Sequence, residues 1–133
     1  MGDFTIKNLK NDVDDAAVQF GLSPNLEARF AVKALASEKV GLSYQRLAPG
    51  FRVPFGHSHA GQEEIYVVVE GGGRVRLDDE VRDVAQWDAI RVAPETVRAF
   101  EAGPEGAVIL AVGAPISREA GNDVEMIQGW WSD

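Results

Sequence analysis

The sequence predicts an all-β chain, a sandwich or a closed barrel, and three observations carry that prediction. Short runs of strand-forming residues recur from Ala28 to Val112. Turn signals separate them: Ala48-Pro49-Gly50, Gly71-Gly72-Gly73, Asp78-Asp79-Glu80, Ala93-Pro94-Glu95 and Gly103-Pro104-Glu105-Gly106. Helical signals are confined to the N-terminal part, so the core must be built from strands. A length of 133 residues fits one domain over 1–133 with a core of its own.

In chain order, Asn11 to Gly21 reads as a short N-terminal helix. Acids and polar capping residues crowd its start, Gly21 stands where a helix ends, and Val13, Ala17 and Phe20 would share a face. Ala28 to Leu35 is a candidate strand whose composition also suits a helix. Val40 to Leu47 alternates more clearly. The further strands are Phe51 to Val53, His57 to His59, Glu64 to Glu70, Arg74 to Leu77, Ala89 to Val92, Val97 to Glu101 and Ala107 to Val112. Ile65-Tyr66-Val67-Val68-Val69 is apolar on both faces, as in a strand covered on both sides inside a barrel or at a dimer interface. Gly71-Gly72-Gly73 reads as a hairpin turn. The tail, Asn122 to Asp133, carries Trp130 and Trp131, two adjacent indoles that need something to pack on.

Composition narrows the function. Apolar residues make up 45% and charged residues 26%, ordinary for a soluble protein. The net charge of −8 argues against nucleic acid and anionic membranes, which need clustered Lys and Arg. With no cysteine there is no disulfide, thiolate ligand or thiol nucleophile, which suits a cytoplasmic setting. The N-terminus lacks an apolar leader segment, and no apolar run is long enough to span a bilayer.

The chain has two histidines, His57 and His59. On a strand, residues i and i+2 point to one face with Cα atoms about 7 Å apart, so two imidazoles can converge on one ion. A carboxylate shortly downstream, Glu63 or Glu64, can complete a third position. Strand parity does not choose between them, because Ile65/Val67/Val69 and Tyr66/Val68 are both apolar sets. Two histidines and one carboxylate leave open positions, as iron(II) oxygen chemistry or a zinc-bound water requires. Neutral imidazoles are needed, so affinity should fall below a pH of about 6.5.

Gly50, His57-Ser58-His59, Glu64 and Gly71 together resemble the first motif of the small single-domain cupins. Trp87-Asp88, the strand Ala89 to Val92, Pro94 and Arg98 resemble the second. The resemblance covers about residues 40 to 113 and implies a double-stranded β-helix, the jelly-roll barrel, usually homodimeric, with a pocket in its mouth. Its distance to Gly71 selects Glu64 over Glu63. It implies a divalent metal (iron, manganese, zinc or nickel) on His57, His59 and Glu64. Arg98 stands where the family places its fourth ligand, a histidine, and an arginine stays protonated and cannot coordinate. Trp87 replaces one motif glycine and Glu95 another.

The pocket that the resemblance implies, together with Arg98, points to a protein that binds a small, anionic molecule. Arg98, Tyr66, Tyr44 and Phe100 are the candidate substrate-binding residues, and Arg98 can orient the anion in a metal-dependent enzyme. The alternative is a metal-free, non-catalytic sensor or binding module with an Arg98–Glu64 ion pair. A third reading is a mainly structural dimer. Parity that turns Arg98 inward also turns Phe100 inward, and an inward guanidinium needs an acidic partner or an anion.

Overall fold

The computed structural model describes residues 2–116 and 123–133. Met1 and, from the tail, Asn122 lie outside the described residues. Among the described residues eight strands make a single curled sheet: β1 Leu26–Phe30, β2 Gly41–Leu47, β3 Phe55–His59, β4 Glu63–Leu77, β5 Glu80–Ala85, β6 Ala89–Val92, β7 Arg98–Ala114 and β8 Val124–Gln128. One path through the sheet runs β1-β2-β7-β3-β8, and β4 pairs with β5, β6 and β7. All these pairings are antiparallel. The all-β jelly-roll architecture is as the sequence predicts. Among the described residues no helix is long and apolar enough to cross a membrane.

The two longest strands correct the reading of the glycine clusters. Gly71-Gly72-Gly73 is not a hairpin turn, and Gly103 to Gly106 falls within β7, although none of these four residues is paired with a neighbouring strand. Both lie inside paired strands, β4 and β7, which continue through them. The register slips between Val68 and Glu70 and again between Gly71 and Gly73. The first is a one-residue β-bulge, and at the second four residues of β7, Gly103 to Gly106, stand against Gly72 alone; such irregularities bend a strand. Gly71 has φ 71° and a side chain there would run into the Gly106 carbonyl, so glycine is required by both conformation and space.

The doubly apolar run leads up to the first slip, and its outer residues, Ile65 and Val67, face away from the core. Before the slip, Glu64, Tyr66 and Val68 lie across from Gly113, Ala111 and Ile109. After it, Val75 and Leu77 lie across from Phe100 and Arg98. An extra residue changes which parity faces the core. Tyr66, Val68 and Val75 are buried, whereas Ile65 is 44% exposed. The core gathers Leu26, Ala28, Leu47, Tyr66, Val75, Val92, Phe100 and Ile109 between the two walls of the barrel.

The N-terminal helix shrinks to a 3₁₀ turn, Ala16–Val18. Asp15 caps it through Ala17 N, but the same oxygen accepts from Ala28 N on β1 at 2.9 Å. That tie holds Asp15 extended beside the sheet, so a helix from Asn11 to Gly21 cannot run through it. Val13 and Ala17 are buried as expected, but Phe20 is 60% exposed. The candidate strand Ala28 to Leu35 divides. β1 ends at Phe30, and Val32–Leu35 forms one helical turn, α1, closed by Ala36 at φ 55°. Strand β5 had no counterpart in the sequence reading. It is an edge strand, Glu-Val-Arg-Asp-Val-Ala, and charge on such an edge discourages further pairing.

Candidate metal centre

Two strands bring the candidate ligands together. On β3, His57 and His59 project from one face, with ring centroids 5.2 Å apart and planes at 83°. From β4, Glu64 reaches toward both. Its Oε1 lies 3.2 Å from His59 Nε2 and 3.5 Å from His57 Nε2. One ligand atom from each of the three residues lies within 4.8 Å of the others. Glu63 faces away and pairs with Arg91 at the surface, at 2.7 Å. The choice that strand parity left open therefore falls on Glu64, which sits on the core-facing set with Tyr66 and Val68.

Arg98 opens β7 directly across from His57. Its side chain is 0% exposed and donates four hydrogen bonds: Nε to Tyr66 OH at 3.1 Å, Nη1 to the Pro94 and Thr96 carbonyls at 3.2 and 2.7 Å, and Nη2 to Glu64 Oε1 at 2.7 Å. A guanidinium has five N–H donors, so nearly all are committed to the protein. The inward orientation and the acidic partner are as expected. No part of the Arg98 side chain reaches the surface.

Tyr66 and Phe100 also join the cluster, but from beneath. Tyr66 OH donates to Glu64 Oε1 at 2.6 Å, and its ring packs on Phe100 with centroids 5.0 Å apart. Both are buried and form a floor under Glu64. Tyr44 is not brought to the site. It lies across β7 from Leu110, which lies across from Val67, on the opposite face from Tyr66. There it meets Lys10, whose ammonium stands 4.9 Å from its ring centroid.

Sequence reasoning missed Asp123. Immediately before β8, its Oδ2 lies 2.9 Å from His59 Nδ1, and its Oδ1 accepts from Gly61 N at 2.8 Å. Nothing near Asp123 in the sequence signals this role; only the pairing of β8 with β3 brings it beside His59. The ring is thus held at Nδ1, while its Nε2 is buried without a hydrogen-bond partner despite the nearby carboxylate.

Charge at the site is set by these contacts. Burial works against ionisation of Glu64, but His57, His59, Tyr66 and then Arg98 outweigh it and hold the carboxyl well below the ordinary range. Burial also opposes the charge on Asp123, and the Gly61 amide and His59 more than compensate. Tyr66 is pushed far above a normal phenol, first by burial and then by the Glu64 charge, so it stays a donor.

The two separations to Glu64 suit a metal ion, and all three ligand atoms lie within 4.8 Å of one another. Bond lengths of about 2.1 Å put adjacent ligand atoms about 3.0 Å apart in an octahedron and about 3.4 Å in a tetrahedron. The separations of 3.2 and 3.5 Å from Glu64 Oε1 to the two imidazoles match those edges. A carboxylate on Nδ1 of a histidine whose Nε2 is unpartnered is the outer support that metal-bound histidines normally show.

A cupin domain model matches residues 43–113, more than half of the chain. This chain is a cupin. No curated protein sequence matches it. Among solved structures, this cupin is similar to a cupin protein from Bacteroides fragilis, at 24% identity over 91% of this chain and 92% of that one, with a TM-score of 0.70. It is also similar to the polyketide cyclase RemF from Streptomyces resistomycificus, at 20% identity over 97% and 88%, TM-score 0.70. An oxalate decarboxylase variant from Bacillus subtilis aligns at 24% identity over 91% of this cupin but 33% of its own chain, TM-score 0.71. At such identities these likenesses concern the fold.

Proposed function

We propose that this cupin binds a small anionic molecule at a divalent transition-metal centre held by His57, His59 and Glu64, with iron, manganese, zinc or nickel as the candidate ions. One observation carries the reading: His59 Nε2 is buried, unpartnered and aimed at Glu64, while Nδ1 is tied to Asp123. A buried nitrogen of this kind is expensive to leave without a partner, and an ion at the centre of the three ligands supplies one. Bound there, the ion supplies Lewis acidity to a ligand or substrate oxygen.

The chain's own residues do the rest. Asp123 and Glu64 contribute two negative charges and Arg98 one positive charge, so a divalent ion with neutral imidazoles leaves the centre with one net positive charge. An anion balances it. His57 is the most exposed ligand, with 25% of its side chain accessible, so a ligand approaches from its side. Arg98 stands in the place of the family's fourth ligand and positions Glu64 instead of coordinating or meeting substrate.

Metal binding by chelator-stripped protein tests this, using zinc, nickel, manganese and anaerobic iron(II) in separate titrations. One equivalent should bind to the wild type, and His57→Ala and His59→Ala should each abolish it. No binding of any of these ions by the wild type would overturn the reading.

The Arg98–Glu64 pair at 2.7 Å favours a second reading, a metal-free sensor or binding module. Arg98→His separates the two. Metal binding that appears only in this variant supports the metal-free reading.

We also propose a homodimer that works in the cytoplasm. On the outer face of the sheet, Leu42, Val112 and Ile65 form one cross-strand row, and Leu110, Val67 and Ala89 form the next. Ile65 and Val112 are 44% and 42% exposed, and a second copy of this face would cover them. Ile65→Asp should give a monomer in sedimentation.

A further inference from the structure

We propose that Asp123 is a positioning residue for the metal centre, and that strand β8 belongs to the site because it delivers this carboxylate to His59. The inference rests on the metal-centre reading above and extends it to a residue outside both motif regions.

Three contacts place Asp123. Its Oδ2 takes the proton of His59 Nδ1 as a hydrogen bond at 2.9 Å. Its Oδ1 accepts from Gly61 N at 2.8 Å, and its main-chain carbonyl accepts from Ala60 N at 2.8 Å. Asp123 therefore fixes both the ring and the turn that follows it. With the proton on Nδ1, the lone pair of Nε2 points toward Glu64 and is free to coordinate. The backbone of His59 is held independently, through its N–H to the Pro94 carbonyl at 2.7 Å. What Asp123 adds is the tautomer and the rotation of the ring.

Strand β8 buries little of itself. Its five residues are exposed, and among the described strands it pairs with β3 alone, from Phe55↔Gln128 to His59↔Val124. Its register is pinned at the far end. Trp130 lies against Gly56, where an added Cβ would stand 2.6 Å from the indole, and the Arg76 guanidinium covers the ring at 4.1 Å. Trp131 donates from Nε1 to the Val53 carbonyl at 2.8 Å and stacks under Arg52 at 4.2 Å. A slip of one residue would turn every side chain of β8 over and withdraw Asp123 from the ring. The two indoles and Gly56 thus set a register whose other end is the metal ligand.

The test uses the full chain and three variants. Asp123→Ala removes both acceptors. Asp123→Asn keeps one acceptor oxygen, which can serve His59 or Gly61 but not both. Glu125→Gln alters a neighbouring exposed acid on β8 as a control. Nitrogen-15 NMR of the metal-free protein at pH 8.5 should show the His59 proton on Nδ1 in the wild type and in Glu125→Gln, and a shift of population to Nε2 in Asp123→Ala. Zinc titration should show affinity about 10- to 100-fold weaker in Asp123→Ala, intermediate in Asp123→Asn and unchanged in Glu125→Gln. A wild-type His59 protonated on Nε2 overturns the proposal, as does zinc binding by Asp123→Ala within threefold of wild type. A wild type that binds no ion overturns the metal-centre reading, while the tautomer measurement still decides whether Asp123 orients His59. If Asp123→Ala does not fold, Asp123→Asn decides by the same two readouts.

Discussion

Replacing Arg98 by methionine should make the metal-free protein less stable and a better metal binder at once. Arg98 is 0% exposed, and its Nη2 lies 2.7 Å from Glu64 Oε1. Removing one partner of a buried ion pair strands the other charge, at about 3–5 kcal/mol. Glu64 keeps the Tyr66 hydroxyl at 2.6 Å, and 13% of its side chain stays accessible, so the lower end of about 3 kcal/mol applies. A chain of 133 residues gains about 0.28 kcal/mol/K of entropy on unfolding, which turns that loss into a Tm about 10 °C lower. The double variant Glu64→Gln with Arg98→Met should recover at least about 1.5 kcal/mol of the summed single losses, because the stranded charge is gone. Metal affinity moves the other way. Arg98 and a divalent ion share one carboxylate, and a charge of one repelling a charge of two at about 5 Å amounts to about 1.5 kcal/mol even at the dielectric of water. Arg98→Met should therefore bind zinc at least about tenfold more tightly than wild type. Urea denaturation in chelator and zinc titration by calorimetry read the two effects. A variant within about 0.5 kcal/mol of wild type and with unchanged zinc affinity would refute the reasoning, since neither charge would then depend on the other.

Glu27 makes a pH-dependent contribution. Burial opposes its charge, but Lys10, Arg29 and Arg46 outweigh burial and lower its pKa from 4.5 to about 2. A carboxyl held lower in the folded than in the unfolded chain stabilises fully above about 4.5 and loses that contribution as pH falls toward about 2. The difference in urea midpoint between wild type and Glu27→Gln should therefore shrink between pH 5 and pH 2.5, and a constant difference would contradict the assignment. Gly71→Ala combines φ 71° with a clash on the Gly106 carbonyl, so it should destabilise by at least about 2 kcal/mol, read as a lower urea midpoint.

Much of the site was legible because its spacing is local. His57 and His59 fall on one strand and share a face by the period of two, and Glu64 lies on the next strand at a distance that Gly71 disclosed. Arg98 was legible as a cation needing an acid, and Glu64 is that acid. The misses have specific physical causes. Bulges inside β4 and β7 look like turns, because both use glycine for positive φ, and only pairing partners distinguish them. Tyr44 alternates with core residues, but its parity faces Lys10 and Glu27 on the outside. Trp87 adopts φ 74°, a conformation that favours glycine, and stays 70% exposed. Asp123 was invisible for the plainest reason. Its partner is 64 residues away in sequence, and it stands just before a short strand whose five residues stay exposed, so burial gives no sign of the pairing.

Arg98 and Asp123 act on the centre in opposite senses, and together they bias what it holds. Arg98 and Tyr66 both hydrogen-bond Glu64 Oε1, which draws electron density from the carboxylate and makes it a weaker ligand. Asp123 accepts from His59 Nδ1, which makes that imidazole a stronger one. The balance moves from oxygen toward nitrogen. Ions that favour imidazole, zinc and nickel, should therefore bind more tightly than manganese, which favours carboxylate, by more than their ordinary order in a site without these two supports. Arg98→Met restores the carboxylate and should narrow the zinc-to-manganese ratio, whereas Asp123→Ala weakens the imidazole and should narrow it from the other side. Competition titrations of the two ions measure the ratio directly. Equal ratios in wild type and both variants would mean that these neighbours hold the ligands in place without tuning them.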